Sequence, residues 1–170
     1  LTYPGVKAVF FYKVANFFAK AKFDLIARII SQISRFLTGI EIHPKAEIGK
    51  NLFLDHANSI VIGESSIIGD NCTIYHGVTL GGLSPSENSQ DQVGSKRHPT
   101  IEDNVIIGCQ ATILGPITIG KCSRIGASVV VLKDIPAFTT VVSANTTKLI
   151  NKDKDSTFKP YAVKDIDNVK

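Results

Sequence analysis

The sequence predicts a mainly β fold, a solenoid of short parallel strands, preceded by a short α-helical segment. Two observations carry this reading. Aliphatic anchors stand at Ile42, Ile48, Leu54, Ile62, Ile68, Ile74 and Leu80, then at Ile101, Ile107, Ile113, Ile119, Ile125 and Val131. The step is six residues, apart from one of eight (Leu54 to Ile62) and one long interruption between Leu80 and Ile101. Seven anchors are followed directly by glycine: Gly49, Gly63, Gly69, Gly81, Gly108, Gly120 and Gly126.

Residues 1–39 read as two helices. Pro4 suits a first helical turn, and Val6, Phe10, Val14 and Phe17 recur at helical spacing. A second helix, from about Phe23 to Leu37, places Leu25, Ile29, Ile33 and Leu37 on one stripe, and Gly39 closes it. Both apolar stripes are expected to pack on the rest of the protein or on another subunit. A basic amphipathic face lying on a membrane surface is the second reading.

From Ile40 to about Ile150 the period changes. The anchor and the residue two before it are small or apolar, as in Val105/Ile107, Ala111/Ile113 and Ile117/Ile119. Alternation of this kind makes a very short strand with one face inward, and the residues that follow must turn the chain. Such a unit cannot bury its own apolar face, so neighbouring coils must stack. The interruption, residues 83–99, is a polar loop of a length that is more often functional than decorative. Residues 151–170 turn charged and poor in anchors, as an extended tail would.

The 170 residues fit one domain with flanking elements. A net charge of +4, with lysines spread over the flanks, gives nucleic-acid binding no support and suits a small anionic ligand. Three cysteines, with no Cys-x-x-Cys pair, argue against a disulfide framework or a zinc site and for a reducing, cytoplasmic setting. Lysines interrupt the first apolar stretch, so no spanning helix or signal peptide is expected. The chain starts at Leu1 and contains no methionine, which reads as a piece of a longer protein.

The hexad pattern resembles the left-handed parallel β-helix acyltransferases. Within them, Thr38–Pro44 (TGIEIHP), Leu54–His56 (LDH), Ile62–Glu64 (IGE), Gly77–Gly82 (GVTLGG), Arg97–Pro99 (RHP) and Ile113–Ile119 (ILGPITI) resemble the serine O-acetyltransferases, as does the leading TYPG. The resemblance covers roughly residues 1–150. It implies three hexads per coil of a triangular prism, a left-handed winding, and acetyl transfer from acetyl-CoA to the hydroxyl of L-serine, with no metal, in cysteine biosynthesis. It also implies a homotrimer or a dimer of trimers. Some relatives dock a C-terminal isoleucine into O-acetylserine sulfhydrylase, whereas this chain ends in Lys170.

Acyl transfer to a hydroxyl needs a base, a group that orients the base, and handles for the acceptor. Asp55 and His56 occupy a turn where other coils have glycine or small polar residues. His56 is read as the base, at the position where the family has its catalytic histidine. Glu41, fifteen residues earlier and near one coil away, is read as the carboxylate that orients it. By resemblance, Arg97 and His98 reach the acceptor's carboxylate and Asp55 its ammonium group, and Gly82, Cys109, Ala127 and Lys133 hold the coenzyme. His76, three hexads past His56, is read as a wall of the acceptor pocket, and His43 as a structural part of its turn. The resemblance further implies that His56 and His98 of one site come from different chains. Three other readings are weighed beside this one: the same fold acting on a sugar or other hydroxyl compound, a metal-dependent hydratase, and a non-catalytic scaffold. The Arg97–His98 pair points to a carboxylated acceptor.

Overall fold

A computed structural model describes residues 2–83 and 94–143. Helix α1 spans Pro4–Lys20 and α2 spans Asp24–Thr38. Gly39 ends α2 with φ +70°, a left-handed angle that suits glycine, and its N–H donates to Arg35 O at 2.8 Å. Among the described residues no helix is long and apolar enough to cross a membrane.

Among the described residues beyond Gly39 come fourteen strands of two or three residues, all paired in parallel, forming three faces. The first face stacks Glu41–Ile42, Val61–Ile62, Thr79–Gly81, Thr112–Leu114 and Val130–Val131. The second stacks Glu47–Ile48, Ile67–Ile68, Thr100–Ile101 and Thr118–Ile119, and Ile135 bridges to Ile119. The third stacks Phe53–Asp55, Thr73–Tyr75, Ile106–Ile107, Arg124–Ile125 and Thr140–Val141. The chain visits the faces in rotation, so each six-residue step is one side of a prism.

Register turns the anchor ladder into columns. Ile42, Ile62, Leu80, Ile113 and Val131 are aligned partners on the first face, and Leu54, Ile74, Ile107 and Ile125 on the third. All nine are buried. The residues two before them, including Ile40, Ile60, Val78 and Ala111, fill the corners of the same core. Every coil thus removes aliphatic surface from water at about 25 cal/mol per Å².

The helices depart from expectation in which face they bury. The α1 face against the protein is Gly5, Ala8, Tyr12 and Ala15, and that of α2 is Ala27, Ser31, Ser34 and Thr38. The apolar stripes point outward: Phe10 is 64% exposed, Phe17 68%, Leu25 75% and Leu37 58%. Among the described residues these four side chains are left largely uncovered. Small side chains allow close approach, and polar anchors complete the seam. Tyr12 Oη donates to Ala46 O (2.7 Å), Asn16 Nδ2 to Pro44 O (2.7 Å) and Ser31 Oγ to Ile42 O (3.0 Å). A Cβ on Gly5 would collide with the Leu54 carbonyl.

The expected tail, 151–170, and most of the 83–99 loop (84–93) lie outside the described residues.

Candidate active site

The eight-residue step is a two-residue insertion at the corner between the third and first faces. His56, Ala57 and Ser59 take positive φ there (51°, 24° and 59°), and Asn58 N–H donates back to His56 O at 2.5 Å. The later coils turn the same corner with fewer residues. The insertion therefore pushes the His56 segment out of the prism line, on a backbone tied to the next coil by Gly77 N–H donating to Asn58 O (2.9 Å).

The backbone ladder along this corner, Gly77 N–H to Asn58 O, Gln110 N–H to His76 O and Ser128 N–H to Cys109 O, stacks Asn58, His76, Cys109 and Ala127, and His56 stands beside that column as an inserted residue. The rings of His56 and His76 meet edge to face, with centroids 6.2 Å apart at 83°. They share a shallow cavity of about 510 Å³ with Asn58, Ser59, Gly77 and Gln110. His76 Nδ1 is buried without a partner among the described residues. No hydrogen bond reaches the His56 ring there, so it is free to take a partner.

Asp55 ends the strand that leads into His56 and is held by a residue that sequence reasoning did not single out. Tyr3 Oη donates to Asp55 Oδ1 and accepts from the His56 N–H (3.2 Å), while its ring stacks on Phe53 at 6.0 Å. The Asp55 carboxylate keeps the Tyr3 phenol above its ordinary pKa. Only the TYPG motif pointed to Tyr3, and it carried no role.

The other expected acceptor residues stand at the opposite edge of the first face, on the corner leading to the second. Here the long loop returns to the prism. Glu41, His43, Gly63, Glu64, Arg97 and His98 line one cavity of about 340 Å³. His98 is only 7% exposed. Its Nδ1 accepts from Ser65 N–H (3.1 Å) and lies 2.9 Å from Ser65 Oγ. Burial, seconded by the Arg97 cation, lowers its pKa against a weaker opposing pull from Glu64. Arg97 pairs loosely with Glu64 (3.7 Å), a second residue that carried no role in the sequence reading. A Cβ on Gly63 would overlap the His98 ring, so glycine is required beneath it.

Glu41 belongs to this second group. Its carboxylate pairs with Arg35 of α2 at 3.2 Å, because the last turn of α2 passes over the first strand of the first face. In the single chain it therefore meets an arginine and not His56. The four coenzyme candidates are likewise divided. Cys109 and Ala127 lie on the His56 corner. Gly82 and Lys133, each two past a first-face anchor, lie on the His98 corner with Gly115. The small residues among them are Cys109 and Ala127 on one corner and Gly82 and Gly115 on the other. The three cysteines are unpaired, and among the described residues no group of three His, Cys, Asp or Glu side chains is placed to hold a metal ion.

The family model for the bacterial transferase hexapeptide (six repeats) matches residues 98–133. The chain is 49% identical over 154 residues to a serine acetyltransferase of Helicobacter pylori strain J99, covering 91% of this chain and 85% of that one. It is 50% identical over 142 residues to a serine acetyltransferase of Bacillus subtilis strain 168, covering 84% of this chain and 62% of the relative. Its fold is similar to that of Neisseria gonorrhoeae serine acetyltransferase solved in complex with serine, with TM-score 0.78 and 36% identity over 87% of this chain. Soybean serine acetyltransferase complexed with serine gives TM-score 0.79 at 40% identity over 85% of this chain. The chain spans 58% of the solved Neisseria chain and 57% of the soybean one.

Proposed function

Because the chain belongs to the serine acetyltransferase family, we propose that it transfers the acetyl group of acetyl-CoA to the hydroxyl of L-serine at a site shared between neighbouring chains. The observation that carries the shared site is the division of its parts between two corners of one prism. His56 with Asp55 lies at one edge of the first face and Arg97 with His98 at the other, and the coenzyme candidates are split in the same way. A groove between two prisms that set unlike corners against each other unites both sets. A homotrimer closes such a heterologous contact into a ring.

Within that groove each residue has a task. Arg97 offers two N–H donors to the carboxylate of serine, and His98 a further one. Asp55 takes the ammonium group, and Tyr3 keeps that carboxylate turned toward the corner. The His56 ring accepts the hydroxyl proton as the serine oxygen attacks the thioester carbonyl. A C–O bond forms, the C–S bond breaks, and His56 returns the proton to the departing thiolate. Glu41 is the carboxylate suited to orient His56, a task that requires it to leave Arg35. The small residues of both columns suit a pantetheine arm running along the groove, and Lys133 suits a coenzyme phosphate. Three free cysteines fit a reducing, cytoplasmic setting. The helical pair 1–39, the solenoid 40–150 and the tail 151–170 serve as the working division of the chain, and the exposed helical stripes suit contacts that join trimers in pairs.

The test is release of free CoA from acetyl-CoA with L-serine, compared with hydroxyl acceptors that lack the carboxylate and with L-cysteine added as competitor. Serine is expected to be the preferred acceptor. His56→Ala is expected to lose nearly all turnover while the assembly keeps its size. A sugar used as well as serine, or full activity in His56→Ala, would overturn the reading.

A further inference from the structure

A neutral imidazole has two tautomers, and only one aims its N–H at a given ligand. We propose that Ser65 is the positioning residue that fixes His98 as its Nε2–H tautomer and so turns one neutral donor toward the carboxylate of the acceptor. The proposal rests on the acceptor role given to His98 above.

Four hydrogen bonds admit one arrangement. The Ser65 backbone N–H can only donate, and at 3.1 Å from His98 Nδ1 it favours a lone pair on that nitrogen, which it shares with the closer Ser65 hydroxyl. The Ser65 hydroxyl accepts from the N–H of Arg97 at 3.0 Å and from the N–H of His98 at 3.1 Å, which fills its acceptor capacity. Its single proton is left for Nδ1, at 2.9 Å. The opposite tautomer would set an Nδ1–H against the Ser65 N–H, two donors face to face in a place where His98 is 7% exposed and water cannot relieve them. One serine thus holds both the backbone that carries the pair and the ring of its histidine.

The surroundings support the same arrangement. Lys96 Nζ donates to Ser65 O (2.6 Å) and His98 O (2.5 Å), tying the returning loop to the corner. Gly63 leaves room for the ring edge that carries Nε2. Burial and the Arg97 cation favour the neutral ring. A neutral N–H beside one arginine suits a single carboxylate, since a second full cation would be repelled by the first. Ser65 thereby converts a loop residue into a donor of fixed direction, which side-chain packing alone would not do, because both tautomers have the same shape.

The full chain carrying ¹⁵N-labelled histidine tests this by long-range ¹H–¹⁵N correlation at neutral pH. Wild-type His98 is expected to show an unprotonated Nδ1 and a protonated Nε2. In Ser65→Ala, which keeps the backbone donor and loses the hydroxyl, tautomers are expected to mix. Serine KM should then rise about tenfold, the weight of one buried hydrogen bond, with kcat and acetyl-CoA KM little changed. Ser65→Thr, which keeps the hydroxyl, should restore both. A wild-type His98 protonated on Nδ1 overturns the proposal without any variant having to fold. So does a Ser65→Ala protein in which tautomer and serine KM both stay as they were. If the tautomer mixes and serine KM does not move, the acceptor role of His98 fails while the hold of Ser65 on the ring stands.

Discussion

Two inactive variants should make an active enzyme when their chains are mixed. His56→Ala removes the proposed base at one corner, and His98→Ala removes an acceptor contact at the other. If a site draws His56 from one chain and His98 from its neighbour, each pure trimer lacks one of the two at every site. In a trimer assembled at random from equal amounts, a given site receives its His56 from a chain that has it in half of cases. The neighbour supplies an intact His98 in half of cases independently, so about a quarter of sites are whole. The base alone should be worth roughly 10²–10⁴ in rate, so the background from the His56→Ala variant is low. The assay is CoA release at serine concentrations below wild-type KM, where the His98 defect is felt, on trimers refolded together or co-expressed with different tags. Recovery of about a quarter of wild-type activity is expected. Activity equal only to the mean of the two separate variants would refute the shared site, and with it the significance given to the two corners.

Gly63→Ala should displace the His98 ring, because the added Cβ overlaps it. Serine KM should rise on the order of 10- to 100-fold with acetyl-CoA KM unchanged, and an unaltered serine KM would contradict the packing described. Ile74→Ala empties a fully buried place in the third-face column. It should cost about 2–5 kcal/mol in a urea denaturation, whereas a loss near zero would mean that the coils do not share one core. His43 and His98 both have lowered pKa values, chiefly through burial. The unfolded chain therefore binds more protons than the folded one between the folded values and the usual histidine value. Their contribution is fully present above about 6.5 and is lost as pH falls from there through the folded values. Melting temperature should drop over that window, and His98→Gln should flatten the drop; equal slopes in both proteins would exclude His98 as a source.

The solenoid was legible because its code is one-dimensional. A six-residue step with an inward aliphatic residue leaves few ways to bury Ile42, Ile62, Leu80 and their partners, and the observed register aligns these anchors in columns. The inner faces of the helices were not legible, because they are marked by small size and not by hydrophobicity. Ala8, Ala15, Ala27 and Ser31 approach the prism and each other closely since they are small, and Tyr12, Asn16 and Ser31 spend their polar groups on backbone carbonyls of the first coil. Candidate site residues could be named from the sequence, whereas their grouping could not. Glu41 and His56 look adjacent when counted in residues, yet the first belongs to a face crossed by α2 and meets Arg35. Ser65 carried no signal, and Tyr3 none beyond its place in the TYPG motif, because their roles consist of hydrogen bonds to residues that are distant in sequence, His98 and Asp55.

A regular prism is a poor enzyme for a physical reason. Its faces are flat ladders of two- and three-residue strands, its inner side chains are consumed by the core, and its corners are tight turns. Chemistry needs side chains that project and a cleft that excludes water, and neither arises from repetition. This chain departs from repetition at two places. The insertion at His56–Ala57 sets His56 out of line, and the long loop returns Arg97 and His98 over Gly63. Each departure makes only a shallow cavity on its own corner. If depth comes from a second prism, as proposed above, the division of the residues between corners and the need for an enclosed groove point to the same arrangement. On that proposal the repeat supplies a rigid edge and assembly the cleft.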